Sequence, residues 1–583
     1  MRLSSVAVAL CSSILVAGDS VQSYGPKQTQ WFPCGFSVPV PGQTVDFQCA
    51  QFDVPLCHNG VCSSNQRIKL FVKRLLATTD SNNQPNLWMI QGGPGYSSAA
   101  LEPAMVQQYL QLNGRINMYT VDHRGTGRSS FLECEAAQSM TAGSIGGVEL
   151  VESELIDCFT DVLGWIDNKP EAFSITSAAK DVEYLIGKLT TKAATYVYGL
   201  SYGTLLVERV MHLAPKGVKG YILDSAMAEK NAVMAQRNQK MKPVGIRYAQ
   251  ACEDDSYCRG KFTTQIEKYG TLHAAFLAIL DNLDTAFPGQ NACADWVQSL
   301  IRADPSYNTT SVERHPTPSA FVKNYFALLA SSGKQYFIPA LFNRLNRCNE
   351  KDLAFLQTRA FAANFTPDPT APTIDRINQE SPLLAHLIVT SEFWTGPVPT
   401  VDELDASRPE SVLHFNLANE LGMYCLYTGW YNEPACQDKA FDSIKPLYNV
   451  TPAFVYQPDQ YSFKAAIIPD GAGVLMLAGG FDMLTPIEVC KQEFNDLKGG
   501  NKALVEFPYG PHMVGVVPAT PEDTTMCGYQ IMASFVQNNG IASKIDRSCL
   551  SCVPKIQFNN VTTAQRTFGA DLDGDVFEGT IRL

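Results

Sequence analysis

The stretch that most constrains this 583-residue chain is Thr195–Leu206. Thr195-Tyr196-Val197-Tyr198 is β-branched and aromatic, which predicts a short buried strand. Leu205, Leu206, Val207, Val210, Met211 and Leu213 then fall at the spacing of one apolar helix face. Between them lies Gly199-Leu200-Ser201-Tyr202-Gly203. With 41 glycines in the chain, a bare Gly-x-Ser-x-Gly pattern carries little weight. Set between a strand and a helix, it specifies a tight turn that strains the serine backbone and lifts its hydroxyl to the top of a sheet. Ser201 is therefore the candidate nucleophile.

The surroundings repeat the strand–helix alternation. Ile68–Leu75, Leu87–Ile90, Ile116–Val121 and Tyr221–Asp224 predict strands, and Ile175–Leu189 predicts a helix opened by Ser/Thr residues. Such alternation means a mostly parallel, doubly wound α/β sheet with right-handed crossovers. After Asp224 it stops for about 240 residues, where segments such as Leu272–Leu283 and Phe321–Leu329 read as helices joined by Pro-rich links near 366–372. This predicts a large, mainly helical cap inserted after the strand that ends near Asp224. Gly473–Ala478 and Ala503–Phe507 then resume the strands.

Two strand ends carry glycine-rich turns. Gln91-Gly92-Gly93-Pro94-Gly95 follows a buried strand, and a Gly-Gly turn there leaves backbone N–H groups uncovered, as an oxyanion hole requires. Asp122-His123-Arg124-Gly125-Thr126-Gly127-Arg128-Ser129 follows another, with Asp122 and Arg124 expected to pair and shape the loop.

Met1-Arg2 followed by the apolar run Leu3–Gly18 has the form of a secretory signal peptide. The run is short for a bilayer span, and no other segment could span, so stable membrane insertion is not expected. Removal of Cys11 with that leader leaves an even 16 cysteines, as an oxidising compartment favours. Cys57/Cys62, Cys252/Cys258 and Cys425/Cys436 read as local staples, each bridge worth about 2–4 kcal/mol. Sequons at Asn308, Asn364, Asn449 and Asn560 fit a glycosylated surface. These features predict a secreted chain, or one held in a vacuole-like compartment. A net charge of −12 with no basic cluster argues against nucleic acid or an anionic membrane as partner. Asp571–Asp575 lacks the glycine and terminal glutamate of a calcium loop and reads as a turn.

A serine hydroxyl needs a base, and the base needs an acid to fix its tautomer. Of eight histidines, His512 alone follows residue 414, and it lies just past the last predicted strand. Asp482, 30 residues earlier, also follows a strand, giving the chain order Ser, acid, His. Asp224 is a competing acid, more readily read as a cap at the start of the helical insertion.

Taken together, Gln91–Gly95, Asp122–Ser129, Gly199–Gly203, Gly480-Phe-Asp-Met-Leu-Thr-Pro486 and Gly510-Pro-His512 resemble the α/β-hydrolase serine peptidases of the prolyl and tripeptidyl aminopeptidase type. Phe47–Leu56 is similar to the opening segment of the secreted tripeptidyl aminopeptidase-like branch. The match spans roughly 45–226 and 470–527. The resemblance implies an α/β-hydrolase fold, Ser201 as nucleophile, Asp482 as acid, His512 as base, and the N–H groups of Gly93 and Tyr202 as oxyanion hole. One such donor is worth about 3–4 kcal/mol in the transition state. Gln91 stands where that family usually has a histidine that is not the base. In aminopeptidases of this kind, acidic cap residues hold the substrate amine, which makes Glu392 in Ser391-Glu392-Phe393-Trp394 the candidate amine anchor.

The expected layout is a signal peptide (1–18), hydrolase core (19–226), helical cap (227–465), second part of the core (466–540) and C-terminal tail (541–583). The expected activity is a serine exopeptidase that trims short peptides from the N-terminus, with no metal or organic cofactor. A secreted carboxylic ester hydrolase on the same triad and a non-catalytic binding module on the same scaffold are the alternative readings. Oligomeric state is left open.

Overall fold

The computed structural model describes residues 30–37, 45–141, 144–145, 150–190, 193–231, 233–303, 316–331, 334–357, 380–517, 526–561, 571–572, 575–579 and 581–582. The leader at 1–18, the sequons at Asn308 and Asn364, and the Pro-rich link at 366–372 lie outside these residues. Nine strands form one sheet: β1 (Phe32–Cys34), β2 (Phe47–Pro55), β3 (Arg67–Leu75), β4 (Asn86–Ile90), β5 (Asn117–Asp122), β6 (Thr195–Leu200), β7 (Val218–Asp224), β8 (Gly473–Gly479) and β9 (Lys502–Phe507). Their spatial order is β1-β2-β3-β5-β4-β6-β7-β8-β9. The first three strands and the β3–β5 pair are antiparallel, and every pair from β5 to β9 is parallel.

The parallel strands are buried on both faces, so they read as continuous apolar runs while still alternating in direction. Trp88, Ile90 and Val197 join the core on one face, with the serine helix Tyr202–Leu213, the helix Ile175–Leu189 and the insertion. Leu87, Met89, Tyr196 and Tyr198 join the other face, against helices Glu102–Gln111 and Cys527–Gln537.

Between β7 and β8 the described chain adds no strand to the sheet. It supplies helices instead, among them Arg237–Asp254, Leu272–Thr285, Pro318–Ser331, Pro382–Glu392 and Ala418–Thr428. Seven disulfides join Cys34–Cys49, Cys57–Cys62, Cys134–Cys158, Cys252–Cys258, Cys293–Cys348, Cys425–Cys436 and Cys527–Cys549. The three local staples are among them. The even count of 16 resolves as seven bridges plus two free thiols, buried Cys490 and exposed Cys552. No described helix is long and apolar enough to cross a membrane.

One loop expectation is corrected. Asp122 and Arg124 do not pair with each other. Asp122 binds Arg128 Nε at 2.7 Å and accepts from Ser98 N–H at 2.8 Å and Ser98 Oγ at 2.6 Å. Arg124 reaches the helix Ile175–Leu189, where its Nε and Nη2 each sit 2.7 Å from an oxygen of Asp181. Each charge is buried, so each needs a partner in good geometry. Asp122 thereby fixes the loop that continues from Gly95, and Arg124 fixes the end of its own strand.

Candidate active site

Parallel strands bring their C-terminal ends to one edge of the sheet, where open α/β folds place their sites. Ser201 follows β6, Asp482 follows β8 and His512 follows β9. Ser201 has φ 54° and ψ −125°, a strained conformation that the turn imposes between strand and helix. Its N–H donates to the Asp224 carbonyl at 3.0 Å, and it caps the helix whose first residue is Tyr202. Gly199 and Gly203 permit this: a Cβ on Gly199 would lie 2.3 Å from the Gly203 carbonyl oxygen, and one on Gly203 2.7 Å from that of Ile90.

The Gln91–Gly95 loop crosses directly over the serine. A Cβ on Gly92 would fall 2.6 Å from Leu200 O, 3.0 Å from Ser201 Cβ and 3.4 Å from Tyr202 N. Gly93, at φ 121°, is exposed in this loop. Tyr202 N–H belongs to a helix's first turn, at the positive end of its dipole, and has no hydrogen-bond partner among the described residues. Gln91 has a local job: its Oε1 accepts from Gly92 N–H at 3.0 Å and stiffens the turn.

Asp482 is fully buried and well satisfied. Its Oδ1 accepts from Leu484 N–H at 2.9 Å and Thr485 N–H at 2.8 Å, and its Oδ2 from Thr485 Oγ1 at 2.7 Å. His512 Nδ1 lies 3.0 and 2.9 Å from the two carboxylate oxygens. Burial pushes the acid's pKa up, but the His512 charge and the bonds from His512 and Thr485 outweigh it, holding Asp482 below the usual range. Burial likewise pulls His512 down, and Asp482 outweighs that too, leaving the imidazole raised above its ordinary value. The acid and histidine loops touch through backbone, since a Cβ on Gly480 would lie 2.0 Å from Pro508 O and one on Gly479 2.4 Å from Gly510 O.

What joins the serine to the histidine is Asp224. It pairs with Leu200 on one side and Leu477 on the other, and its carboxylate grips the histidine loop. Val514 N–H donates to Oδ1 at 3.0 Å, while Gly515 N–H at 2.9 Å and Tyr198 Oη at 3.0 Å donate to Oδ2. Met513 N–H donates to Ser225 Oγ at 3.0 Å. Asp224 is therefore neither the acid nor a cap on the insertion; it anchors the loop that carries His512. Among the described residues no hydrogen bond links Ser201 Oγ to the imidazole, a contact that commonly tightens only once substrate is bound.

Glu392, the candidate amine anchor, is held by side chains of the serine helix and of the segment that precedes β8. It ends the helix Pro382–Glu392, is 4% exposed, and accepts from Arg209 Nη2 at 3.1 Å, Tyr456 Oη at 2.7 Å and Ser462 Oγ at 3.0 Å. Arg209, on the serine helix, also binds Glu229 at 2.8 Å and Asp459 at 3.4 Å. The network ties the insertion to the serine helix. The sequence offers Asp224 as a competing acid or a cap, not as the anchor of the histidine loop, and does not mark Thr485. Thr485 lies inside the quoted Gly480–Pro486 stretch, three residues after Asp482, whose bond from Leu484 N–H two residues on is the Asx-turn pattern. No group of three or more His, Cys, Asp or Glu that could hold a metal occurs among the described residues.

Residues 85–257 match the family described as alpha/beta hydrolase fold. No curated protein matches the chain. Solved structures similar to it include VinJ, 11% identical over 84% of this chain and 98% of that one, with a TM-score of 0.29. The haloalkane dehalogenase DbeA from Bradyrhizobium elkani USDA94 is 12% identical over 84% and 98%, with a TM-score of 0.28. A proline iminopeptidase from Mycobacterium smegmatis is 12% identical over 85% and 99%, with a TM-score of 0.26. By its strand order and by the match over 85–257, the chain is an alpha/beta hydrolase in fold.

Proposed function

We propose that this chain is a secreted serine hydrolase that cleaves peptide bonds near the N-terminus of short peptides, using Ser201, His512 and Asp482. The observation that carries the reading is the pair of buried Asp482 and partly buried His512 at the sheet edge that also presents a strained Ser201. With Nδ1 turned to Asp482, the imidazole keeps its proton there and leaves Nε2 free as base. His512 takes the hydroxyl proton as Ser201 attacks the scissile carbonyl. The N–H groups of Gly93 and Tyr202 receive the developing oxyanion, and His512 returns the proton to the leaving amine. Water, deprotonated by the same imidazole, then hydrolyses the acyl-enzyme. Secretion rests on the leader-like start and the seven disulfides, together with an exposed Asn449 in one sequon.

Glu392 is already engaged by Arg209, so amine capture by this carboxylate would have to compete with an internal ion pair. That engagement is what favours ester hydrolysis as the second reading, since esters need no amine anchor. Fluorophosphonate labelling that disappears in Ser201→Ala tests the nucleophile; label retained in that variant sinks the assignment. Peptide p-nitroanilides with free and with blocked N-termini, run beside p-nitrophenyl esters, separate peptidase from esterase.

A further inference from the structure

Arg237 opens the helix Arg237–Asp254, which runs along the acid loop. Arg247 Nε on that helix donates to the Gly480 carbonyl at 3.0 Å, and the Tyr248 ring meets Phe481 at 5.5 Å between centroids. The helix start is held from the other side, where Asn238 Nδ2 donates to Phe415 O at 2.9 Å. The partly buried Arg237 guanidinium stacks on the Phe415 ring, 4.0 Å from its centroid.

Among the described residues this guanidinium has no hydrogen bond and no ion pair. Interior arginines elsewhere in the chain are bound by carboxylates: Arg124 by Asp181, Arg209 by Glu229 and Glu392, and Arg344 by Asp352. The carboxylate whose charge reaches Arg237 is Glu420, which lies against His386 at 3.9 Å instead. Its position adds cost, because a cation at a helix N-terminus opposes the dipole and the first turn carries no acidic residue. Burial lowers the pKa of Arg237, as expected for a cation stripped of water without an ion-pair partner. Its positive charge is near enough to act on the His512 imidazole. An unpaired, aromatic-stacked guanidinium is the fork that carboxylates bind.

We propose that Arg237 anchors a carboxylate of the substrate, so that the enzyme selects short peptides with a free acidic group. The proposal rests on the hydrolase reading and adds a substrate class to it. Phe415 sets the plane of the guanidinium, and the same helix packs through Arg247 and Tyr248 on the loop that carries Asp482.

The test uses the purified full chain and one tripeptide sequence in three forms: free acid, C-terminal amide, and amide with a glutamate in place of the last residue. Expected is a KM about 30-fold lower for the free acid than for the plain amide, the scale of one charge-assisted bidentate pair. Arg237→Gln brings that ratio near one, and Arg237→Lys keeps part of it. If the glutamate amide matches the free acid, the anchor reads any carboxylate; if it matches the plain amide, the anchor reads the terminus. A ratio near one in the parent chain, or unchanged in Arg237→Gln, overturns the proposal. The same peptides are titrated against Ser201→Ala by calorimetry. Acid-selective binding without cleavage by the parent chain refutes the peptidase reading and keeps the anchor. Cleavage without selectivity does the reverse.

Discussion

Asp224→Asn probes how the serine and histidine ends of the sheet are held together. The carboxylate accepts two backbone N–H groups, from Val514 and Gly515, and the Tyr198 hydroxyl, all at 2.9–3.0 Å and all buried. An asparagine of the same shape keeps one oxygen, so whichever way it is turned, one of those N–H groups faces an NH2. Tyr198 and Ser225 can rotate and accept instead, but a backbone amide cannot. One orphaned buried donor costs about 1–3 kcal/mol, and the bonds that remain lose their charge assistance, for a total of about 2–4 kcal/mol. Burial pushes the Asp224 carboxyl above its usual pKa, so removing the charge recovers part of that desolvation, and a net loss of about 2–3 kcal/mol is expected. Urea unfolding followed by tryptophan fluorescence reads the loss. The rate of fluorophosphonate labelling reads the displacement of His512, expected to fall about 10-fold, far less than the ~10⁴-fold that loss of the triad acid causes. A variant within about 0.5 kcal/mol of the parent and labelled at the parent's rate refutes the anchor role.

The rest follow from single contacts. Because the His512 imidazole is raised and must be neutral to act as base, kcat/KM should climb with pH through a midpoint above 6.5 and fall away on the acid side. In Asp482→Asn that midpoint drops while the rate falls about 10⁴-fold; a midpoint unmoved by the substitution contradicts the pairing. Gly92→Ala puts a methyl 2.6 Å from Leu200 O and 3.0 Å from Ser201 Cβ, so the loop must lift away. Labelling should slow by about 10²-fold with circular dichroism unchanged, and a rate equal to the parent's would show that the loop takes no part. Glu208 and Glu493 are buried, and desolvation raises both their pKa values. The folded chain therefore keeps protons that the unfolded chain releases, and stability should decline as pH rises above about 4.5. Glu208→Gln should flatten the fall in Tm between pH 5 and 9; parallel curves would exclude a proton shared at this pair.

The order of strands and helices was legible because burial on both faces writes itself as apolar runs: Leu87–Ile90, Tyr221–Asp224 and Gly473–Ala478 all lie inside the strands observed. Ser201, Asp482 and His512 were legible because each follows such a run, and parallel strands deliver all their C-terminal ends to one edge. The local staples Cys57–Cys62, Cys252–Cys258 and Cys425–Cys436 were legible too, because each bridge needs only a local turn. Partner choice between distant charges was not legible. Arg124 and Asp122 are two residues apart, yet their carboxylate and guanidinium partners lie 57 and 6 positions away, a choice made by packing and not by chain proximity. Glu392 and Arg209, 183 positions apart, meet only because the insertion folds back on the serine helix. The residue types along the chain thus determined that Ser201, Asp482 and His512 share an edge. Which charges neutralise one another only the tertiary structure decided, because a buried charge takes the counter-ion that the folded backbone brings within about 3 Å.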